Sequence, residues 1–87
     1  MTKYVVNIVD MKQDKHDEAK KIIIESFDKF MEEKKIADDI RLAMNKAQGD
    51  SWNCIVGKSF GAHVVHQTES YLFCSYGEQS ILLWRSG

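Results

Sequence analysis

Four consecutive residues near the C-terminus, Ile81-Leu82-Leu83-Trp84, set the strongest limit on how this chain can fold. Successive side chains of a strand point to opposite faces, so a strand built on this run is apolar on both. Tyr71-Leu72-Phe73-Cys74 is nearly so. A sheet that contains such strands needs cover on both of its sides. The chain has 87 residues, which is room for one domain over residues 1–87. A domain of this size buries only about 60–65% of the surface its unfolded chain exposes. A second copy of the chain is one standard way to complete a core that small.

The rest of the order follows from periodicity. Residues 4–9, Tyr-Val-Val-Asn-Ile-Val, are a β-branched run that reads as a short strand. Ala19, Ile23, Phe27 and Phe30 then recur at helical steps, with Asp14 as the expected N-cap. Asp17 with Lys21 and Glu25 with Lys29 are favourable pairs four apart. A second stripe, Ile36, Ile40, Ala43, Met44 and Ala47, follows without an intervening Gly or Pro. At about 100° per residue it is rotated by roughly 120° from the first, so one straight helix would turn half its apolar residues to water. The spacing therefore predicts two helices, over residues 14–30 and 33–47, with a break near Met31 and Glu32 and a stop at Gly49. Beyond Gly49 the period becomes two, and residues 52–56, 60–66, 71–76 and 79–85 read as strands with hairpin-sized gaps. The predicted fold is α+β, in the order β-α-α-β-β-β-β, an antiparallel sheet with two helices on one face.

Composition and motifs exclude most chemistry. Twelve basic residues face 13 acidic ones, so no positive field draws in nucleic acid and no basic block marks a membrane surface. No apolar run approaches the ~20 residues that span a bilayer. Two cysteines, Cys54 and Cys74, are fewer than a secreted mini-protein would use and fit a reducing compartment. Cys54, His63, His66 and Cys74 are the one zinc-like set, but the cysteines are unpaired in sequence, and His63 and His66, three apart on a strand, face opposite sides. No acid or oxyanion loop stands at a set spacing from Cys54 and His66 to make a nucleophile of them. Gly57-Lys58-Ser59 matches the end of a phosphate loop but lacks the glycine-rich stretch before it. Trp52, Phe60, Tyr71, Phe73 and Trp84 have no interleaved basic residues to form a base-stacking platform. Glu33 and Lys34 open the second helix, where backbone N–H groups lack partners; a glutamate there ordinarily complements the helix dipole, and the alternative is that the exposed helix start receives a ligand's polar group. No catalytic set, metal site or cofactor site emerges. A binding module is the natural default, and a sheet edge that accepts an added peptide strand is one standard way to make one.

The segment Trp52-Asn53-Cys54-Ile55-Val56-Gly57-Lys58-Ser59-Phe60-Gly61, with His66, Thr68 and the ending Ile81-Leu82-Leu83-Trp84-Arg85-Ser86-Gly87, resembles the eight-kilodalton dynein light chain family. The family pattern is W-H-C-I-V-G-R-x-F-G, then T-H-E-T, then A-I-L-L-F-K-S-G. The resemblance also takes in Asp10-Met11 and Glu33-Lys34 and runs over essentially the whole chain. It implies a strand-exchanged two-fold dimer in which residues 60–66 cross to the partner's sheet. The implied interface is Asn53, Lys58, Phe60, Gly61, His63, Val64, Val65 and Ser86. Members are non-catalytic and bind extended peptides, often with a Thr-Gln-Thr core. The implied groove has a strand side of Ser59, Phe60, Gly61, Ala62, His63, Val64, Val65 and His66. Tyr71, Phe73, Ser75, Ser80 and Leu82 form its wall, and Glu33 and Lys34 its polar end.

The chain departs from the family at Asn53 (usually histidine), His63 (tyrosine), Val65 (threonine), Ser75 (tyrosine) and Ser80 (alanine). The implied function is a light chain of a dynein motor complex in the cytoplasm and cytoskeleton, or in a ciliary axoneme. It would form a homodimer, or a heterodimer with a related light chain, and bind a dynein intermediate chain. The alternative is a general dimerisation adaptor outside dynein.

Overall fold

The computed structural model describes residues 3–58 and 66–86, with the His66 side chain left out. Its elements are β1 (Tyr4–Asp10), α1 (Gln13–Lys29), α2 (Glu33–Gln48), β2 (Trp52–Lys58), β3 (His66–Tyr76) and β4 (Gln79–Ser86). This is the α+β architecture expected. The four strands form one antiparallel sheet in the order β1-β3-β4-β2, with both helices on one face. The strand expected over residues 60–66 lies, apart from His66, outside the described residues.

The two apolar stripes become the helix side of the core. Ala19 and Ile23 of α1 and Ile36, Ile40 and Met44 of α2 pack with Trp52, Val56, Leu72, Cys74, Ile81 and Leu83. Both stripes reach one sheet because the chain bends between them, with Phe30 (φ −129°, ψ 154°) and Glu32 (φ −85°, ψ 128°) extended. The phase change in the sequence is thus met by a backbone break at the place it requires. A polar tie holds the two helices together. Ser26 Oγ donates to Asp39 Oδ2 at 2.6 Å, and Lys29 Nζ lies 3.6 Å from the same oxygen. Lys29, expected to pair with Glu25 along its own helix, reaches α2 instead.

Two local expectations are corrected. Helix α1 begins at Gln13 with Lys12 in the capping position, so Asp14 lies in the first turn. There its Oδ1 accepts from the Lys15 N–H at 2.9 Å and its charge suits the positive end of the helix dipole. Residues 68–70, expected as a hairpin connection, lie inside β3. Glu69 adopts φ 60°, and the pairing register with β4 shifts between His66 and Tyr71. The polar cluster distorts the strand without ending it, and the Glu69 N–H donates to Asp10 Oδ2 at 3.2 Å.

The connections match their residues. Gly49, at φ 83°, ends α2 in a conformation that disfavours a side chain, and a Cβ there would lie 3.1 Å from Arg85 Nη2. Asn45 Oδ1 accepts the Trp52 N–H at 2.7 Å and fastens the end of α2 to the start of β2. Gly77, at φ 64°, is the first of two residues joining β3 to β4, where a primed hairpin turn calls for glycine.

Candidate functional site

Strand register divides the sheet into a helix-facing side and a helix-free side. Three rows of side chains cross the helix-free side. Tyr71 lies opposite Trp84, which lies opposite Asn53. Ile8, Phe73, Leu82 and Ile55 form the next row, one residue from each strand. Val5, Ser75, Ser80 and Gly57 form the third. The apolar middle row thus lies between the aromatic row and a shallow row of small residues. Main chain and hydroxyls are reachable there, beside apolar walls.

This side is only partly covered. Leu82, at the centre, is 0% exposed, while Ile8 and Ile55 at the two ends of its row are 55% and 45% exposed. Ile8 and Ile55 are thus the exposed ends of a row whose centre is buried. Strand β2 is also an edge of the sheet, paired with β4 and with no other described strand. An edge of that kind carries unpaired N–H and C=O groups on which a further strand can form.

The expected groove wall is brought together. Phe73 pairs with Leu82 and Ser75 with Ser80, and Tyr71 lies one row along on the same face. Of the expected interface residues, Asn53 and Ser86 meet, Asn53 Nδ2 donating to Ser86 Oγ at 2.7 Å. Lys58 lies at the other end of β2, opposite Gln79, in the row that holds Tyr4 and Tyr76 on the helix-facing side. Glu33 and Lys34 are exposed in the first turn of α2, whose capping residue, Glu32, makes no side-chain cap. No hydrogen bond or ion pair among the described residues joins them to the sheet. Ser59, Phe60, Gly61, Ala62, His63, Val64 and Val65 lie outside the described residues. His66 opens β3, opposite Ser86. Ile8, Ile55 and Trp84 belong to the helix-free side although the groove reading omitted them. Register is the signal that places them there, since each lies opposite a wall residue or beside one.

The thiols stand on the helix-facing side and are free. Burial pushes Cys74 up to about 12, and burial with the nearby Cys74 pushes Cys54 further still above the ordinary thiol range. A thiol held protonated in this way is a poor nucleophile, and its role here is packing. Burial also raises Tyr4, whose hydroxyl lies 2.9 Å from His16 Nε2. Neither helix is long and apolar enough to cross a membrane.

A family description, dynein light chain type 1, matches residues 3–86. The chain belongs to the dynein light chain family. It is 35% identical over 81 residues to the cytoplasmic dynein light chain of Emericella nidulans, covering 93% of this chain and 86% of that one. Among solved structures, the dynein light chain-like domain of a Fasciola hepatica calcium binding protein superposes with a TM-score of 0.79. That match covers 97% of this light chain and 92% of the other at 21% identity. A second structure of the same domain gives 0.75 over 99% and 93%. At that identity these two structures bear on the fold alone.

Proposed function

We propose that this light chain is a non-catalytic subunit of a dynein motor complex. It dimerises through residues 60–65 and holds extended segments of a dynein intermediate chain by strand addition. The observation that carries the reading is the match to the dynein light chain family over residues 3–86. The partly covered helix-free side, ending on β2, which pairs with no described strand but β4, supports it. The cytoplasmic relative supports a place in the cytoplasm and cytoskeleton.

In this mechanism the partner's crossing strand extends the sheet beyond β2, and the peptide adds beside that strand. Main-chain hydrogen bonds give affinity, and the side-chain rows give specificity. The uncapped start of α2, with Glu33 and Lys34, receives a polar peptide side chain on N–H groups that lack helical partners. Two such grooves on one dimer make the second binding event intramolecular, which is the source of avidity. The row of Ser75, Ser80 and Gly57 makes the wall small and polar where the family pattern has tyrosine and alanine at the two serine positions. A generic Thr-Gln-Thr peptide therefore binds weakly and one dedicated segment more tightly.

Titration calorimetry with intermediate-chain segments tests this. One segment per chain is the expected stoichiometry. Val65→Thr with Ser75→Tyr should strengthen binding of the generic peptide by about tenfold. Low-micromolar binding of the generic peptide by the unaltered chain, unimproved by the double change, would favour a general adaptor. No binding of any intermediate-chain segment would overturn the proposal.

A further inference from the structure

The opposite edge of the sheet carries a separate inference. Strand β1 pairs with β3 and with no other described strand. Val5, Val6, Ile8 and Val9 are all exposed, on both faces of the strand. Edge strands are ordinarily protected by charge, proline or a bulge. Here the chain has no proline, and the charged residues Lys3 and Asp10 stand only at the two ends of the run. The bulge is present, at Asn7, between Val6 opposite Cys74 and Ile8 opposite Phe73.

That bulge changes which residues share a face. In an unbroken strand, residues on one face are separated by even steps. With one extra residue at Asn7, Val5 and Ile8 both point to the helix-free side, opposite Ser75 and Phe73. Tyr4 and Val9 both point to the helix side, opposite Tyr76 and Leu72. The strand has thereby become self-complementary in one antiparallel register. If Val5 lies opposite the partner's Ile8, Tyr4 lies opposite the partner's Val9, and each facing pair stays on one side of the sheet. The same register sets Lys3 opposite the partner's Asp10 at both ends. Asp10 uses Oδ2 for the Glu69 N–H, which leaves Oδ1 for the incoming ammonium.

We propose that β1 is a second docking edge, taken by β1 of another copy of this chain about a two-fold axis, in the register that pairs Lys3 with the partner's Asp10. It lies at the far edge of the sheet from β2, so it adds to whatever assembly forms there and does not compete with it. The paired surface is two seven-residue strands, smaller than a stable interface needs. The step is therefore a weak, concentration-dependent association that links assembled light chains.

Sedimentation equilibrium of the full chain at low salt, up to roughly 1 mM chain, reads this step. Lys3→Glu alone or Asp10→Lys alone sets like charges opposite each other twice per interface. Each should weaken the step by about tenfold, since exposed pairs are individually small but change sign together. An equimolar mixture of the two variants relieves both repulsions and should restore it. If Asp10→Lys does not fold, Asp10→Asn keeps an acceptor for Glu69 and replaces it in the mixture. A wild-type mass unaffected by Lys3→Glu at every concentration overturns the proposal and leaves the β2 reading intact. So does a mixture that fails to recover what the variants lost.

Discussion

The two sides of the sheet are built from the same strands and meet opposite conditions. On the helix side, Leu72, Cys74, Ile81 and Leu83 are sealed by α1 and α2. On the helix-free side, Leu82 and Tyr71 are buried, but Ile8, Ile55 and Val5 at the margins stand open. One residue of offset along β4 separates a finished core from an unfinished one. The difference teaches where stability and function are stored. The helix side supplies the packed core, and the margins of the other side stay exposed.

The largest expected effect comes from breaking the finished side. Leu83→Ala or Ile40→Ala leaves a cavity among close-packed neighbours and should cost about 2–5 kcal/mol. Thermal or urea unfolding checks it. A loss under about 1 kcal/mol at both sites would mean that the helix side is not the tight core described.

The polar tie between the helices comes next. Asp39→Ala leaves the buried Ser26 hydroxyl without its acceptor and removes the partner of Lys29. The expected cost is about 1–3 kcal/mol, read from the urea midpoint. Ser26→Ala in the Asp39→Ala background should cost little more, because the hydroxyl has already lost its partner.

Alkaline pH tests the same side in a different way. The unfolded Cys74 thiol ionises near its ordinary value of 9.0, whereas the folded one holds its proton to about 12. Between those values the folded state binds more protons than the unfolded, so stability falls as pH rises. Cys54 and Tyr4, both raised by burial, act in the same direction. The contribution of Cys74 is fully present below pH 9, and it declines by up to about 1.4 kcal/mol per pH unit above that. Cys74→Val should flatten the slope of stability against pH from 9 to 12. An unchanged slope would show that this thiol is not responsible.

The smallest stability effect belongs to the open side. Ile55→Ser changes a half-exposed residue and should move monomer stability by only about 0.5 kcal/mol. It should nevertheless weaken association or segment binding measurably. Equal losses in unfolding and in binding would erase the distinction between the two sides.

Much of this contrast was legible in the residues. The Ile81-Leu82-Leu83-Trp84 run announced a strand needing cover twice, and the rotated stripes of Ile23 and Ile40 announced two helices that cover one side. Family-specific residues put Phe73, Ser75, Ser80 and Leu82 in one group, and the register sets Phe73 opposite Leu82 and Ser75 opposite Ser80. What escaped was set by tertiary partners. Lys12, two residues earlier, holds the helix-start position expected of Asp14, against the capping preference that favours aspartate. The stretch from Thr68 to Ser70 has turn composition yet stays within β3, because its distortion is anchored by Asp10 on the neighbouring strand. The bulge at Asn7 is invisible in a β-branched run, and it alone decides that Ile8 faces the helix-free side.

The most direct test follows amide resonances of the full chain, isotope-labelled, while a dynein intermediate-chain segment is added. The account predicts that shifts concentrate in residues 59–66, at Phe73, Ser75, Ser80 and Leu82, and at Glu33 and Lys34. The amides of Ala19 and Ile23, beneath the helix side, should hardly move. Shifts confined to the outer surfaces of α1 and α2, with the helix-free side silent, would contradict it.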